Sequence, residues 1–278
     1  MCQDWSLNIT DQYTYACDSH VGLARQSQED SYGSMPELGF WVVADGMGGH
    51  DNGEVASAIA VQGLCQEIQR GTALEYAIEL AHEEILQVNS KRSDSSSAET
   101  KTAMGTTIVA TKFTDNHYKI AWVGDSRGYL FDGRRLQMLT RDHSLKQQLL
   151  DMKALQPEDA DNFAHGSTIT QALGIEGNGF LRVDTAEGAL KQGQVLCLCS
   201  DGLTDLVPDD QLEKILAKHM AKGRESDYQA ALNALIQAAL NAGGKDNVTV
   251  QIVGLGPDAN SQNKASGSWL NRIKGYFR

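Results

Sequence analysis

An α+β fold, with antiparallel sheets flanked by helices, is the architecture this sequence predicts. Helical patterns come in pairs between blocks of hairpin-spaced strands, not one after each strand, which argues against a doubly wound parallel sheet. Apolar strand-like runs also end on carboxylates at turns: FWVVAD (Phe40 to Asp45), IAWVGD (Ile120 to Asp125) and VLCLCSD (Val195 to Asp201). With 278 residues and 41% hydrophobic content, the chain is long and apolar enough for one large globular domain or two small ones.

Taken in order, YTYACDSH, DSYGSM and GFWVVA within residues 11–44 read as strands separated by turns. From Gly53 to Arg70, Val55, Ile59, Leu64 and Ile68 recur at helical spacing. Gly71-Thr72 interrupts the pattern, and a second helix runs Ala73 to Val88. SDSSSAET (93–100) is a polar loop. Strands resume at Gly105–Thr111, Tyr118–Val123 and Arg127–Phe131, and Asp132-Gly133 signals a hairpin into RRLQMLT. LKQQLLDMKAL then gives a helix, followed by an irregular acidic loop to residue 167. Strands are expected at Phe180–Ala186, Val195–Cys199 and Asn247–Gly254, with helices at Asp209–His219 and Ser226–Ala242. No internal repeat is present.

Beyond Gly256 the composition changes. PDANSQNKASGS is a linker by composition, and WLNRIKGYFR closes the sequence with aromatic, aliphatic and basic residues. The chain therefore divides into a folded unit, 1–256, and a linker with a basic amphipathic tail, 257–278. In the tail Trp269, Leu270, Ile273 and Phe277 form an apolar stripe beside cations, a pattern suited to weak membrane or partner docking, or to docking on the protein itself.

Bulk properties exclude several classes. A net charge of −12 argues against nucleic acid as a general partner, because neutralising phosphates needs a basic surface. No run approaches the roughly 18 apolar residues of a membrane span, and MCQDWSLNIT lacks the basic-then-apolar pattern of a secretory signal. The expected location is the cytoplasm. Five cysteines (Cys2, Cys17, Cys65, Cys197, Cys199) have no disulfide-framework spacing and read as reduced core thiols.

The acids carry the chemistry. Glu29-Asp30, Asp45-Gly46, Gly124-Asp125-Ser126, Ser200-Asp201-Gly202 and Asp246-Asn247 each stand in a Gly-rich or turn-like context. Any one of them alone is an ordinary turn-former or helix cap. Together, beside apolar strands, they are how a sheet protein gathers hard oxygen ligands, which points to a polynuclear Mg²⁺ or Mn²⁺ site at one end of the β structure. The glycines of Asp45-Gly46-Met47-Gly48-Gly49 permit positive φ and close approach to a ligand.

The wording and order of these segments resemble a known family. Arg25 with Glu29-Asp30, then DGMGG (45–49), MGTT (104–107), Gly124-Asp125-Ser126-Arg127, DHS (142–144), TQALG (170–174), SDGL (200–203) and DN (246–247) resemble the metal-dependent serine/threonine protein phosphatases of the PPM or type-2C class, in family order over roughly residues 15 to 254. The compact bacterial members look most similar. The resemblance implies a β-sandwich of two antiparallel sheets, flanked by helices on both sides, with a metal cluster at one end. It implies that Asp45 bridges two Mn²⁺ or Mg²⁺ ions, with the Gly46 carbonyl on one of them. Asp201 and Asp246 would complete the first site, and Glu29 with Asp30 would serve the second, partly through waters. Asp125 with Asp201 would hold a weaker third ion, and Arg25 would clamp the substrate phosphate through its planar fork. The implied activity is hydrolysis of phosphothreonine and phosphoserine on phosphorylated proteins by a metal-bridged hydroxide, opposing a bacterial Ser/Thr kinase; a monomer is expected.

The sequence departs from the family pattern in two places. Gln28 stands where many members have Asn, and Met47 stands where eukaryotic members have a histidine proposed to protonate the leaving group. Met47 carries no transferable proton, which makes His50 a candidate donor beside a metal-bound water. His143 reads as a structural hydrogen-bonding residue. Residues 145–167 occupy the place of the family's substrate-contacting flap, and its acids suit either basic phosphopeptides or plain solvation. Rival chemistries lack their parts: there is no Cys-x5-Arg, no Asp-x-Asp-x-Thr/Val and no GxxxxGK[ST]. A non-catalytic phosphoprotein-binding module remains the competitor, disfavoured by the presence of Asp45, Asp125, Asp201 and Asp246 together.

Overall fold

The computed structural model describes residues 8–9, 12–49, 52–94, 103–163, 168–176, 181–220 and 225–256. His50 and the 257–278 linker and tail lie outside the described residues. The strands are β1 (Asn8–Ile9), β2 (Tyr13–His20), β3 (Asp30–Met35), β4 (Phe40–Met47), β5 (Gly105–Thr106), β6 (Ile108–Thr114), β7 (His117–Val123), β8 (Arg127–Phe131), β9 (Leu136–Met138), β10 (Asp184–Ala189), β11 (Val195–Cys199) and β12 (Val248–Leu255). The helices are α1 (Asn52–Gln69), α2 (Leu74–Asp94), α3 (Leu145–Asp151), α4 (Asp201–Thr204), α5 (Asp209–His219) and α6 (Glu225–Asn241).

Two antiparallel sheets result. One runs β1-β2-β12-β11-β8-β9 and the other β10-β7-β6-β4-β3, with β5 paired to β4. Each sheet buries both faces, and the period-2 alternation of side chains shows how. In β4, Phe40, Val42 and Ala44 face the layer under α1 and α2, while Trp41 and Val43 face the other sheet. In β11, Cys197 and Cys199 lie under α4, α5 and α6, while Leu196 and Leu198 point between the sheets. The order is helix, sheet, sheet, helix. Between the sheets the Trp41 ring meets Tyr13, Tyr15 and Phe113 edge-on or tilted, at centroid distances of 5.2, 5.5 and 5.8 Å, an arrangement aromatic quadrupoles favour. The described cysteines are all free, and Cys197 and Cys199 are buried. Among the described residues, no helix is long and apolar enough to cross a membrane.

Three elements differ from the sequence-based expectation. The strand expected at 105–111 divides at Thr107, whose amide donates to the Asp45 carbonyl instead of extending a ladder. The strand expected at 180–186 begins only at Asp184, where pairing with Trp122 starts. Asp201 opens a short helix, α4, where only a turn was expected.

Candidate metal centre

Antiparallel pairing delivers the acids to one end of the sandwich. Asp30 and Asp45 are direct partners at the start of β3 and the end of β4. From the other sheet, Asp201 follows β11 and Asp246 precedes β12, while Asp125 sits in the β7–β8 turn that links the two sheets. Gly124, at φ +104°, makes that turn, and a Cβ there would lie 2.6 Å from the Thr107 side chain.

Hydroxyls and amides hold the frame. The Asp45 carbonyl accepts from the Thr107 amide (2.8 Å) and the Thr106 hydroxyl (2.9 Å), while the Asp45 amide donates to Thr107 Oγ1 (3.2 Å). Gly46 is packed so closely that an added Cβ would stand 2.1 Å from the Gly53 carbonyl and 2.6 Å from that of Glu29. Asn247, buried at 3% exposure, binds the 21–29 segment three times. Its Oδ1 accepts from the Glu29 amide (2.7 Å), and its Nδ2 donates to the carbonyls of Val21 (2.8 Å) and Ser27 (3.0 Å). Asp30 Oδ2 accepts from Ser200 Oγ (2.7 Å) and Thr249 Oγ1 (2.6 Å), tying the two sheets together. Thus Asp30 is engaged by protein donors. Gln28 reaches Ser19 with its Nε2.

The electrostatics are those of crowded carboxylates. Burial, followed by repulsion from Asp30 and Asp201, pushes Asp45 well above the usual carboxylate range. Asp125 is likewise raised well above it, first by burial and then by Asp201. Burial raises Asp30 to about 7 against its two hydroxyl donors, and burial with Asp205 raises Asp201 to about 6. Such groups ionise readily only when positive charge arrives. Asp125 Oδ1 is buried without a hydrogen-bond partner, a lone pair with no protein donor to meet it.

This donor set fits a hard divalent cation. All the side chains offered are carboxylates, and Mg²⁺ or Mn²⁺ suits oxygen ligands. Among the described residues no three His, Cys, Asp or Glu side chains close on one point as a finished cage. That agrees with cations that keep several waters and take only one or two carboxylates each. Asp246 in particular is already engaged: its Oδ2 accepts from Arg25 (2.7 Å) and its Oδ1 from the Asn247 amide (2.8 Å). Glu29 lies against α1, where a Cβ on Gly53 would stand 2.2 Å from its Oε2.

The sequence reading left out several residues that hold the candidate ligands. Asn247, Ser200 and Thr249 are ordinary letters beside the acids, and only their distances give them a role. Asp205 was missed as well. It stands one helical turn after Asp201 and lines a small cleft with Asp125, Asp142 and Asp201; a second Asp at i+4 from Asp201 was the available signal. Arg127 is held there by Asp142 in a bidentate pair (2.9 and 2.7 Å). His143 accepts from the Gly124 amide (3.2 Å) through Nδ1, and its Nε2 faces Asp184 at 3.3 Å.

Residues 24–237 match the family model described as Protein phosphatase 2C. The chain belongs to the protein phosphatase 2C family. It is 39% identical over 239 residues to the serine/threonine phosphatase stp of Listeria welshimeri, covering 84% of this chain and 92% of that protein. The crystal structure of the Mycobacterium tuberculosis serine/threonine phosphatase PstP/Ppp superposes with a TM-score of 0.76 at 31% identity, covering 88% of this chain and 99% of that one. The catalytic domain of PstP in complex with two manganese ions superposes with a TM-score of 0.73 at 30% identity, covering 88% and 99% respectively. As a 2C-family phosphatase, the chain has the two-sheet sandwich with outer helices that the resemblance implied.

Proposed function

We propose that the protein hydrolyses phosphoserine and phosphothreonine on other proteins at the carboxylate end of the sandwich, in the presence of Mn²⁺ or Mg²⁺. One observation carries this reading. Asp30, Asp45, Asp125 and Asp201 come from both sheets to one place, where, on top of burial, Asp30, Asp201 and Asp125 together hold the Asp45 carboxyl above its usual range and Asp201 does the same to Asp30 and Asp125. A phosphomonoester dianion is repelled by such a pocket unless cations invert its charge. Bound there, two divalent ions supply that inversion and lower the pKa of water towards neutrality.

Asp45, Asp201 and Asp246 with the Gly46 carbonyl are the expected holders of one ion, Glu29 and Asp30 those of the second, and Asp125 with Asp201 those of a weaker third. Asp30 acts chiefly through its hydroxyl partners, setting the distance between the sheets. Arg25, half exposed beside Asp246, is free to exchange that carboxylate for a phosphate oxygen pair. Met47 cannot protonate a leaving alkoxide, so the proton comes from water or from His50. The cognate partner is a protein kinase that places these phosphates, and the working compartment is the cytoplasm.

The test is phosphate release from a phosphothreonine peptide with Mn²⁺ or with EDTA, beside Asp201→Asn. Turnover that needs the metal and falls by about 100-fold or more in the variant is expected, since the loss of even a supporting group at a metal site typically costs 10–100-fold. A folded protein without turnover under any divalent ion would leave a phosphoprotein-binding module in its place.

A further inference from the structure

A groove of about 950 Å³ runs between α2 and the 169–176 segment and opens beside Met47, next to the carboxylate centre. Tyr76, Leu80 and Ile175 give it an apolar wall, and Tyr76 is 56% exposed there. Glu79, Glu83 and Glu176 line it with negative charge, and among the described residues no lysine or arginine does so. Glu79 and Glu83 stand at i,i+4, where like charges destabilise a helix; a basic partner would relieve them.

The chain carries a segment of the opposite character. Residues 269–278 contain Arg272, Lys274 and Arg278 with no acid, beside Trp269, Leu270, Ile273 and Phe277. We propose that this basic, aromatic tail docks into the acidic, apolar groove of its own chain. The exit point suits it. The Gly256 amide donates to the Gln12 carbonyl, and Gln192, three residues past the end of β10, reaches the Leu255 carbonyl. Lys119 bridges Glu187 of β10 to Glu75 in the first turn of α2, so the chain leaves on the side where α2 begins. The 12 residues from 257 to 268 span at most about 40 Å at roughly 3.3–3.6 Å each. The whole of α2 is only about 30 Å long at 1.5 Å per residue. Apolar contact supplies affinity and the charge match supplies register and salt sensitivity.

Docking is read without reference to activity, so its failure is distinct from failure of the phosphatase reading. Amide hydrogen exchange on the full chain compares wild type with Arg272→Glu/Lys274→Glu, Glu79→Lys/Glu83→Lys and the combined four-fold swap. The expected result is roughly tenfold slower exchange over residues 269–278 in wild type, lost in each double variant and regained in the swap, at every protein concentration. A tail exchanging as free chain in wild type overturns the proposal. So does protection that grows with protein concentration, which assigns the groove to a second copy's tail, or protection that appears only with anionic vesicles.

Discussion

Asn247 shows how much of this site depends on a residue that touches no reacting atom. Its side chain meets three backbone groups of the 21–29 segment and sits between Asp246 and β12. Asn247→Ala leaves those buried groups unpaired, so a stability loss of about 1–3 kcal/mol is expected in denaturant unfolding. Metal affinity should weaken roughly 10- to 100-fold by the same displacement of Glu29 and Asp246; titration calorimetry with Mn²⁺ reads this directly. Unchanged affinity would show that the segment keeps its place by other means. Arg25 is the opposite kind of residue. Its pair with Asp246 is 49% and 37% exposed, and exposed pairs contribute little, about 0–1 kcal/mol. Arg25→Ala should therefore barely move the melting temperature. Yet kcat/KM for a phosphopeptide should fall roughly 10- to 100-fold, because hydrogen bonds to charged groups are worth about 1.5–3 kcal/mol. A large loss of stability with unchanged kcat/KM would make Arg25 a structural residue and leave the phosphate without its clamp.

At the scale of elements, tight junctions near the site exclude any side chain. Gly202 is the second residue of α4, where a Cβ would stand 1.9 Å from the Asn247 carbonyl, whereas Gly193, at φ +84°, has nothing within 4 Å. Gly202→Ala must push α4 away from Asn247, and overpacking of this kind costs about 1–3 kcal/mol. It should also displace Asp201 and depress metal-dependent turnover. Gly193→Ala pays only for its left-handed backbone, about 1 kcal/mol, and should leave turnover unchanged. Equal loss of activity in both variants would contradict the role given to the Gly202 contact. Elements whose signal is local were legible in the sequence: β11 and α5 fall where apolar alternation and helical spacing put them. Elements decided by a distant partner were not. The break at Thr107 exists because the Asp45 carbonyl needs a donor, and β10 starts late because its ladder with β7 reaches only as far as Trp122. Asp45, Asp125 and Asp201 were legible as candidate ligands for the same local reason, since each ends an apolar run. The partners of Asp30 were not, because Ser200 and Thr249 become its neighbours only when the sheets close, at sequence separations of 170 and 219 residues.

For the whole molecule, the carboxylate end is an electrostatic cost set against a sandwich whose two sheets are buried on both faces. The folded pKa values of Asp30, about 7, and Asp201, about 6, lie above the unfolded value of roughly 3.9. Asp45 and Asp125 are displaced in the same direction. A carboxyl raised on folding binds more protons in the native state, so it favours folding at low pH, and that contribution is lost as pH rises through the folded value. For Asp30 and Asp201 the window is about pH 4 to 7, above which the metal-free native state carries the repulsion in full. Divalent ions bind the ionised forms, compete with protons, and stabilise by mass action. The melting temperature in EDTA should therefore fall from pH 5.5 to pH 8, and the gain on adding Mn²⁺ should be larger at pH 8. Asp201→Asn removes one titrating member and relieves its neighbours, so its metal-free melting temperature should fall less steeply over the same range. Scanning calorimetry at the two pH values, with and without Mn²⁺, tests both statements. A metal-induced gain equal at pH 5.5 and 8, with parallel slopes for wild type and variant, would mean that the four carboxylates do not share one field, and the metal centre would have to be sought elsewhere.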